Sequence, residues 1–320
     1  MTGRERVIHA FERRAPLPGQ HVPHFELVFY LTMEEFGIQH SSQRAYGQWG
    51  QMSEAERALH RKSCAEYHVL TAERYGHDAI FVHPNPGDFY ETIRLLELIR
   101  ERGGDEYFIM LHGDATYGIP NGDEMAEFAA MFAEQPEEMK RRASEMVDGA
   151  IERAEKFLPH KKLLDGFALC SDYCFNVAPF FSPAQFAEFV TPYLERLIAA
   201  YRGMGFFTMK HTDGNIMPIL DQLVECEPHA LHSLDPQGGV DLAVVKRRYG
   251  DKVALVGNVN CGLLQTGTDE EVAADARRAL NDGMPGGGYV FSTSNCVYTG
   301  MDIERYRLMH RIWREEGAYK

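Results

Sequence analysis

Histidine, cysteine and carboxylate side chains recur at the ends of short apolar runs of this chain. Glu26 lies within the first run, and the residues that end or follow the later runs are His83, His112 with Asp114, Asp172 with Tyr173, His211 with Asp213, Asp235, Asn258 with Asn260 and Cys261, and Asn295 with Cys296. Histidine, cysteine and carboxylate groups are the usual protein ligands of zinc. The pattern therefore predicts a metal site where the apolar runs end.

The best candidate ligands are His211, Cys261 and Cys296, which lie at the ends of the fifth, seventh and eighth runs. Three protein ligands with one open position are typical of a catalytic zinc site. Asp213 or Glu26 can supply a fourth ligand. The structural alternative is that both thiols are small buried apolar groups, as free cysteines often are, and that His211 is a hydrogen-bonded core residue.

Cys170 and Cys174 flank Asp172 and Tyr173. We interpret the aspartate and the tyrosine as the pair that faces the site, and the two cysteines as packing residues. Outside this region we expect Cys64 and Cys226 in the helical core, and His60, His68 and His77 at the surface or in a lid.

The apolar runs are four to seven residues long and alternate with helical patterns. They are His24–Tyr30, Asp78–His83, Tyr107–His112, Gly166–Cys170, Gly205–His211, Ala230–Leu234, Val253–Gly257 and Gly288–Ser292. Short continuous apolar runs bounded by Gly, Asp, Asn or Pro are typical of strands that are buried on both faces. Eight strands alternating with helices predict an α/β fold, a single (β/α)₈ TIM barrel whose active site lies at the C-terminal strand ends.

Amphipathic helices are predicted between the strands, over 86–102, 182–204, 241–249, 268–280 and 302–316. We expect one domain over 1–320, with an N-terminal helix (2–14) and a helical insert (32–76) as decorations. An open doubly wound sheet is the alternative fold, but no G-x-G-x-x-G or P-loop sequence follows the first strand.

The composition excludes several classes of protein. The 320 residues are 44% hydrophobic and carry 33 basic and 47 acidic side chains, for a net charge of −14. A nucleic-acid or anionic-membrane surface needs a surplus of Lys and Arg, so we expect neither partner. No apolar stretch approaches the roughly 18–20 residues of a membrane span, and the N-terminus lacks a signal-peptide pattern, which favours a cytoplasmic protein with reduced thiols.

The second half of the chain resembles the uroporphyrinogen decarboxylase superfamily. The resemblance rests on H-x-D-G after the fifth run, D-L-x-x-V-K-x-x-Y-G-D, G-N-V-N after the seventh run and L-x-x-G-T-x-E-E-V. It extends to T-x-R-E-R-V near the N-terminus and to G-Y-x-F-S-x-S-N near the C-terminus. The resemblance implies a (β/α)₈ barrel and one of two chemistries: cofactor-free decarboxylation, or zinc-dependent methyl transfer to a corrinoid.

Two departures count against the decarboxylase. Its substrate carries many carboxylates and is held by arginines near the first strand, but no arginine occurs here between Arg14 and Arg44. The family's L-G-H-G segment in the last strand loop is replaced by Thr293-Ser294-Asn295-Cys296.

The methyltransferases carry H-x-C after strand five and a Cys after strand eight as zinc ligands. His211 and Cys296 match the outer positions of that set, while Asp213 stands in the middle position, so Asp213 or Cys261 completes it. Loss of a thiolate makes zinc more Lewis-acidic, which favours activation of a methyl donor over methylation of a thiol.

The resemblance therefore implies an enzyme that moves a methyl group from a methoxylated aromatic or methylamine-type donor to a corrinoid on a partner protein, with a homodimer as the oligomer common in the family. The residues expected to protonate or orient the leaving group are His83, His112, Asp114 and Tyr173. Those expected to contact substrate are Glu26, Asp172, Asp235, Asn258 and Asn260. The alternatives are a cofactor-free carboxy-lyase and a non-catalytic member of the superfamily.

Overall fold

The fold of the chain is an α/β fold built on one parallel sheet. A computed structural model describes residues 1–44 and 47–320. Neighbouring strands in the chain are neighbours in the sheet, in the order β1 (Ala79–Phe81), β2 (Phe108–His112), β3 (Gly166–Cys170), β4 (Phe207–Thr212), β5 (Ala230–Ser233), β6 (Ala254–Val259) and β7 (Tyr289–Thr293). All six pairings are parallel, so the carboxyl ends of the strands meet at one edge.

The predicted count of eight strands is not confirmed in the described part of the chain. The first predicted strand, 24–30, lies between β7 and β1, and an amide of this segment donates to Phe291 O at 3.2 Å while one of its carbonyls accepts from Asp78 N at 2.7 Å. Regular pairing is interrupted because the Glu26 carboxylate accepts the backbone N–H of Thr293 at 3.1 Å. The Glu26 side chain thus binds a backbone N–H that would otherwise donate to a carbonyl of the neighbouring strand.

Thirteen helices accompany the strands in the described residues. They are α1 (Gly3–Phe11), α2 (Thr32–Phe36), α3 (Glu54–Tyr75), α4 (Phe89–Gly103), α5 (Met125–Glu134), α6 (Pro136–Glu155), α7 (Pro183–Phe189), α8 (Thr191–Gly203), α9 (Leu220–Glu225), α10 (Leu242–Tyr249), α11 (Cys261–Thr266), α12 (Asp269–Gly283) and α13 (Ile303–Glu316). The helix predicted over 182–204 is divided into α7 and α8. Pro192 has no N–H to bond to the carbonyl one turn earlier, so a new helix begins there.

Alternate side chains along each strand belong to two different apolar layers, one on each face of the sheet. Side chains such as Met110, Ala168, Met209 and Val290 form an inner cluster to which every strand contributes, and α1 adds Phe11 to it. The other face of each strand packs against the surrounding helices. Because α1 covers the interior from the strands' N-terminal side, the opposite edge, where the strands end, is left for a site.

The segment 32–76 contains α2, two short 3₁₀ turns and α3, and residues 45 and 46 within it lie outside the described residues. That it is an insert decorating the barrel stays a prediction. The prediction of surface or lid positions for His60, His68 and His77 is wrong, because all three are buried. Their ring nitrogens are used within the core: His77 Nε2, for example, lies 3.0 Å from Tyr306 Oη. Cys64 and Cys226 are buried as predicted. None of the described helices has the length and apolarity that a membrane crossing requires.

Candidate metal centre

Asp172, His211 and Asp213 bring three ligand atoms together where β3 and β4 end. His211 Nε2 lies 3.6 Å from Asp172 Oδ1 and 3.7 Å from Asp213 Oδ1, and all three ligand atoms lie within 4.8 Å of one another. Ligands bound to one tetrahedral zinc ion at about 2 Å are separated by about 3.3 Å. A small contraction would therefore allow these three atoms to hold a metal ion.

The carboxyl group of Asp213 has no positively charged group beside it in the cluster. Its Oδ1, the oxygen that faces His211, is buried and has no hydrogen bond within the described residues. Its other oxygen accepts from the side-chain amide of Asn295. Burial, the charge of Asp172 and the charge of Asp235 raise the pKa of Asp213 to about 8. Burial lowers the pKa of His211 to about 3, so the imidazole is neutral and does not balance the carboxylates. A bound cation would satisfy all three groups.

The structure explains why glycine ends the H-x-D-G sequence. Gly214 has φ +75°, a conformation that residues with a side chain rarely adopt, and a Cβ there would lie 2.6 Å from the carbonyl oxygens of Cys174 and Phe175. Its N–H donates to Asp235 Oδ2 at 3.2 Å. Glycine thus allows the turn carrying Asp213 to pack directly against the loop that follows Asp172.

The two candidate thiol ligands lie outside this group of three atoms. Cys296 is adjacent to it: its N–H donates to the Asn295 side chain that also binds Asp213, and burial together with the Asp213 charge raises the pKa of its thiol. The Cys261 thiol is buried and directed to the backbone oxygen of Cys296 at 3.7 Å. Neither thiol joins a three-ligand group among residues 1–44 and 47–320.

Asp114 and Tyr173 are buried below the cluster and are fully hydrogen-bonded. Asp114 pairs with Lys210 at 2.7 Å; burial would raise the pKa of this carboxyl, but the ammonium group and hydrogen bonds from Thr116 hold it below its usual value. Tyr173 Oη lies 2.6 Å from Thr116 Oγ1, and its ring lies 4.0 Å from Lys210 Nζ. These contacts support the turns carrying Asp172 and His211, while a role in proton transfer stays a prediction.

Two histidines, His83 and His112, lie at the ends of neighbouring strands. His83 follows β1, and His112 is the last residue of β2. His112 is exposed at the strand end, and burial of part of its ring lowers its pKa. His83 Nδ1 lies 3.1 Å from Phe81 O, and burial lowers the His83 pKa to about 4. Both rings are therefore neutral near pH 7, the form that can accept a proton.

The predicted substrate contacts have structural partners, and Asp172 Oδ1 itself accepts from Asp213 N–H at 3.3 Å. Glu26 is buried and accepts from Ser292 and Thr293. Asp235 binds the Gly214 and Gln237 amides, Asn258 bonds to Leu234 and Arg278, and Asn260 caps α11. Whether any of them also contacts substrate stays a prediction.

An open cavity of about 680 Å³ lies directly over the two carboxylates. Its lining includes Asp172 and Asp213 together with the apolar residues Ile119, Phe175 and Val177. Phe175 and Val177 are 40% and 82% exposed, so their apolar side chains are accessible to a ligand in the cavity. The cavity thus combines an anionic cluster with an apolar wall.

Sequence analysis missed one residue that contacts the cluster, His232 on β5. Its Nδ1 lies 2.7 Å from His211 Nδ1. The residue stands within the apolar run ALHSL, where it gives no motif signal. Its position two residues after Ala230, on the same strand face, was the available clue.

Fold and site together define an α/β protein with a parallel barrel-like sheet and a candidate metal centre at its carboxyl edge. The family described as "Uroporphyrinogen decarboxylase (URO-D)" matches residues 115–315, which is most of the chain. The chain therefore belongs to the uroporphyrinogen decarboxylase family, as the sequence motifs predicted.

Individual relatives agree with this assignment. A uroporphyrinogen decarboxylase of Thioalkalivibrio sulfidiphilus (strain HL-EbGR7) is 31% identical over 134 residues, which cover 39% of this chain and only 35% of that protein. Among solved structures, a methyltransferase from Methanosarcina mazei superposes with a TM-score of 0.72 at 16% identity, covering 98% of this chain and 99% of the other. At that identity the likeness shows a shared fold.

Proposed function

We propose that this protein is a zinc-dependent methyltransferase that moves a methyl group from a small methylated donor to a corrinoid carried by a partner protein. The observation that carries the proposal is the convergence of His211 Nε2, Asp172 Oδ1 and the unpartnered Asp213 Oδ1. Without a cation, burial and the neighbouring charge of Asp172 disfavour the ionised form of Asp213, and its Oδ1 is left without a hydrogen bond; a bound cation would favour the carboxylate and satisfy that oxygen.

The ligand chemistry supports zinc. Histidine nitrogen and carboxylate oxygen are common zinc ligands, and three protein ligands leave a position open to substrate. Cys296 lies beside the cluster, and its thiol can complete or tune the ligand set. A zinc ion held here would supply a Lewis acid that stabilises the negative charge on the departing heteroatom.

The side chains of the rim suit a methoxylated aromatic donor better than a methylamine. Phe175 and Val177 give an apolar lining to the cavity that Asp172 and Asp213 also line. An aromatic ring packs against such a wall with its methoxyl oxygen directed to the cluster. His112 is exposed at the same edge, and the N–H of its neutral ring can orient the methoxyl oxygen through a hydrogen bond. The methyl acceptor is a corrinoid in its Co(I) state, whose electron pair forms the new bond to carbon.

The structure also disfavours decarboxylation of a polycarboxylate. Asp172 is half exposed and lines the open cavity, and its carboxylate would repel a substrate with many carboxylates. Cofactor-free lyase chemistry is thus the alternative function, and it would be favoured if the protein binds no metal.

Metal content decides between these functions. The full chain, purified without chelator or nickel, is analysed by mass spectrometry as wild type, His211→Ala, Asp213→Asn and Cys296→Ala, with Cys226→Ala as the matched control for loss of a buried thiol. We expect about one zinc per wild-type chain, lost in His211→Ala and Asp213→Asn and kept in Cys226→Ala. Methylation of Co(I) cobalamin by methoxylated aromatics, followed by absorbance, then tests the reaction. A wild type that takes up no zinc even after zinc is added would overturn the proposal and favour the lyase.

A further inference from the structure

Two buried histidines on adjacent strands form a direct ring-to-ring contact below the candidate metal centre. His211 on β4 and His232 on β5 are register partners, and both are buried. Their Nδ1 atoms lie 2.7 Å apart. At that distance one nitrogen carries a proton and the other presents its lone pair.

The contact made by the other ring nitrogen of His232, Nε2, determines which of the two Nδ1 atoms donates. His232 Nε2 lies 3.2 Å from the backbone oxygen of Thr293, and a carbonyl only accepts. His232 therefore carries its proton on Nε2. The ring is buried, and none of its hydrogen-bond partners in the described residues is a carboxylate that would stabilise a charged ring, so it is neutral and its Nδ1 has a lone pair.

His211 must then donate from Nδ1 to His232. Because His211 is buried, a second proton that would charge its ring is disfavoured, so Nε2 has no proton and presents a lone pair to Asp172 and Asp213 at 3.6 and 3.7 Å. The atom that faces both carboxylates is thus a metal-ligand atom before any metal binds.

We infer that His232 is a positioning residue that fixes the ring orientation and tautomer of His211 so that Nε2 is the ligand atom. The inference rests on the proposed metal site. Groups that bind the second nitrogen of a ligating histidine are usually carboxylates, carbonyls or waters. A neutral imidazole serves here without adding a third negative charge beside Asp172 and Asp213.

Zinc affinity of two matched variants tests this role. His232→Asn keeps a neutral acceptor near His211 Nδ1, whereas His232→Phe keeps a ring of similar size without an acceptor, and both lose the hydrogen bond to Thr293 O. Zinc dissociation constants are measured by competition with a chromophoric chelator on the full chain. We expect His232→Asn to bind zinc within a few-fold of wild type and His232→Phe to bind about 10–100-fold more weakly.

Equal zinc affinity of wild type and His232→Phe would overturn the positioning role while leaving the metal site intact. Failure of wild type to bind zinc would instead overturn the proposed function. If His232→Phe does not fold, two-bond hydrogen–nitrogen NMR of the zinc-free wild type still decides the matter. We expect the His211 proton on Nδ1 and the His232 proton on Nε2, assigned by comparison with His211→Ala, and the opposite tautomers would contradict the inference.

Discussion

Lys210 Nζ lies 2.7 Å from Asp114 Oδ2, and both side chains are completely buried. The same ammonium group donates to Ser171 O at 2.9 Å, and Asp114 Oδ2 accepts from Ser171 N at 3.0 Å. Ser171 and Lys210 directly precede Asp172 and His211 in the chain. One buried ion pair therefore joins the two turns that present candidate metal ligands.

Removal of one partner from this pair leaves an uncompensated buried charge. We expect Lys210→Met to lower the free energy of unfolding by about 3–5 kcal/mol, measured by urea denaturation. Addition of Asp114→Asn to that variant removes the orphaned charge and recovers a large part of the loss. Strictly additive losses in the double variant would show that the pair is not coupled.

Asp172 is predicted to be a metal ligand although it is half exposed, because its Oδ1 faces His211 Nε2. We expect Asp172→Asn to weaken zinc binding about 10–100-fold, since a neutral amide oxygen replaces a charged ligand, with the unfolding midpoint nearly unchanged. Chelator competition measures the affinity. Asp123→Asn, an exposed aspartate in the loop before α5, is the control; an equal effect in both variants would point to general surface charge.

Local patterns predicted most of the strands and the edge at which the site lies. The order of elements and the H-x-D-G sequence were enough to place His211 and Asp213 together at a strand end. They did not reveal which neighbours complete the site, because Asp172 and His232 meet His211 only through the register of β3, β4 and β5. Register is a tertiary property that depends on packing across the whole sheet.

The irregular first segment shows a second limit. The run HFELVFY has the composition of a buried strand, but buried polar groups compete for its backbone pairing. His24 N–H donates to Asp78 Oδ2 at 3.0 Å and Glu26 accepts from Thr293 N–H. These side-chain hydrogen bonds join residues more than fifty positions apart in the sequence, so a local sequence pattern cannot predict them.

Glu26 predicts a pH dependence of stability. Burial raises its pKa from 4.5 to about 8, in spite of hydrogen bonds from Thr293 and Ser292 that favour the charged form. The folded protein therefore binds a proton there that the unfolded chain releases above about pH 4.5. This proton contributes stability at low pH that is lost progressively between about pH 4.5 and 8.

The variant Glu26→Gln removes this titration while keeping an acceptor for Thr293 N–H. We expect the stability difference between Glu26→Gln and wild type to shift in favour of the variant by on the order of 3 kcal/mol from pH 4.5 to pH 8. Urea unfolding at four pH values measures it. A difference that stays constant with pH would mean that Glu26 is ionised in the folded protein.

Phe175 is predicted to contact the methyl donor rather than to support the fold. It is 40% exposed and lines the cavity above Asp172 and Asp213. We expect Phe175→Ala to raise KM for a methoxylated aromatic about 5–30-fold, the loss of roughly 1–2 kcal/mol of aromatic contact, because the ring forms part of the cavity wall. Zinc content should stay at the wild-type value, since the side chain supplies no ligand atom.

Leu158→Ala is the matched control for this prediction, because Leu158 has a similar exposure of 42% and does not line the cavity. Initial rates of Co(I) cobalamin methylation over a range of donor concentrations separate KM from kcat. A fall in kcat at unchanged KM would instead assign Phe175 to corrinoid docking, because the acceptor must enter through the same opening. Equal effects in both variants would show that exposed apolar area in general, rather than this wall of the cavity, governs the rate.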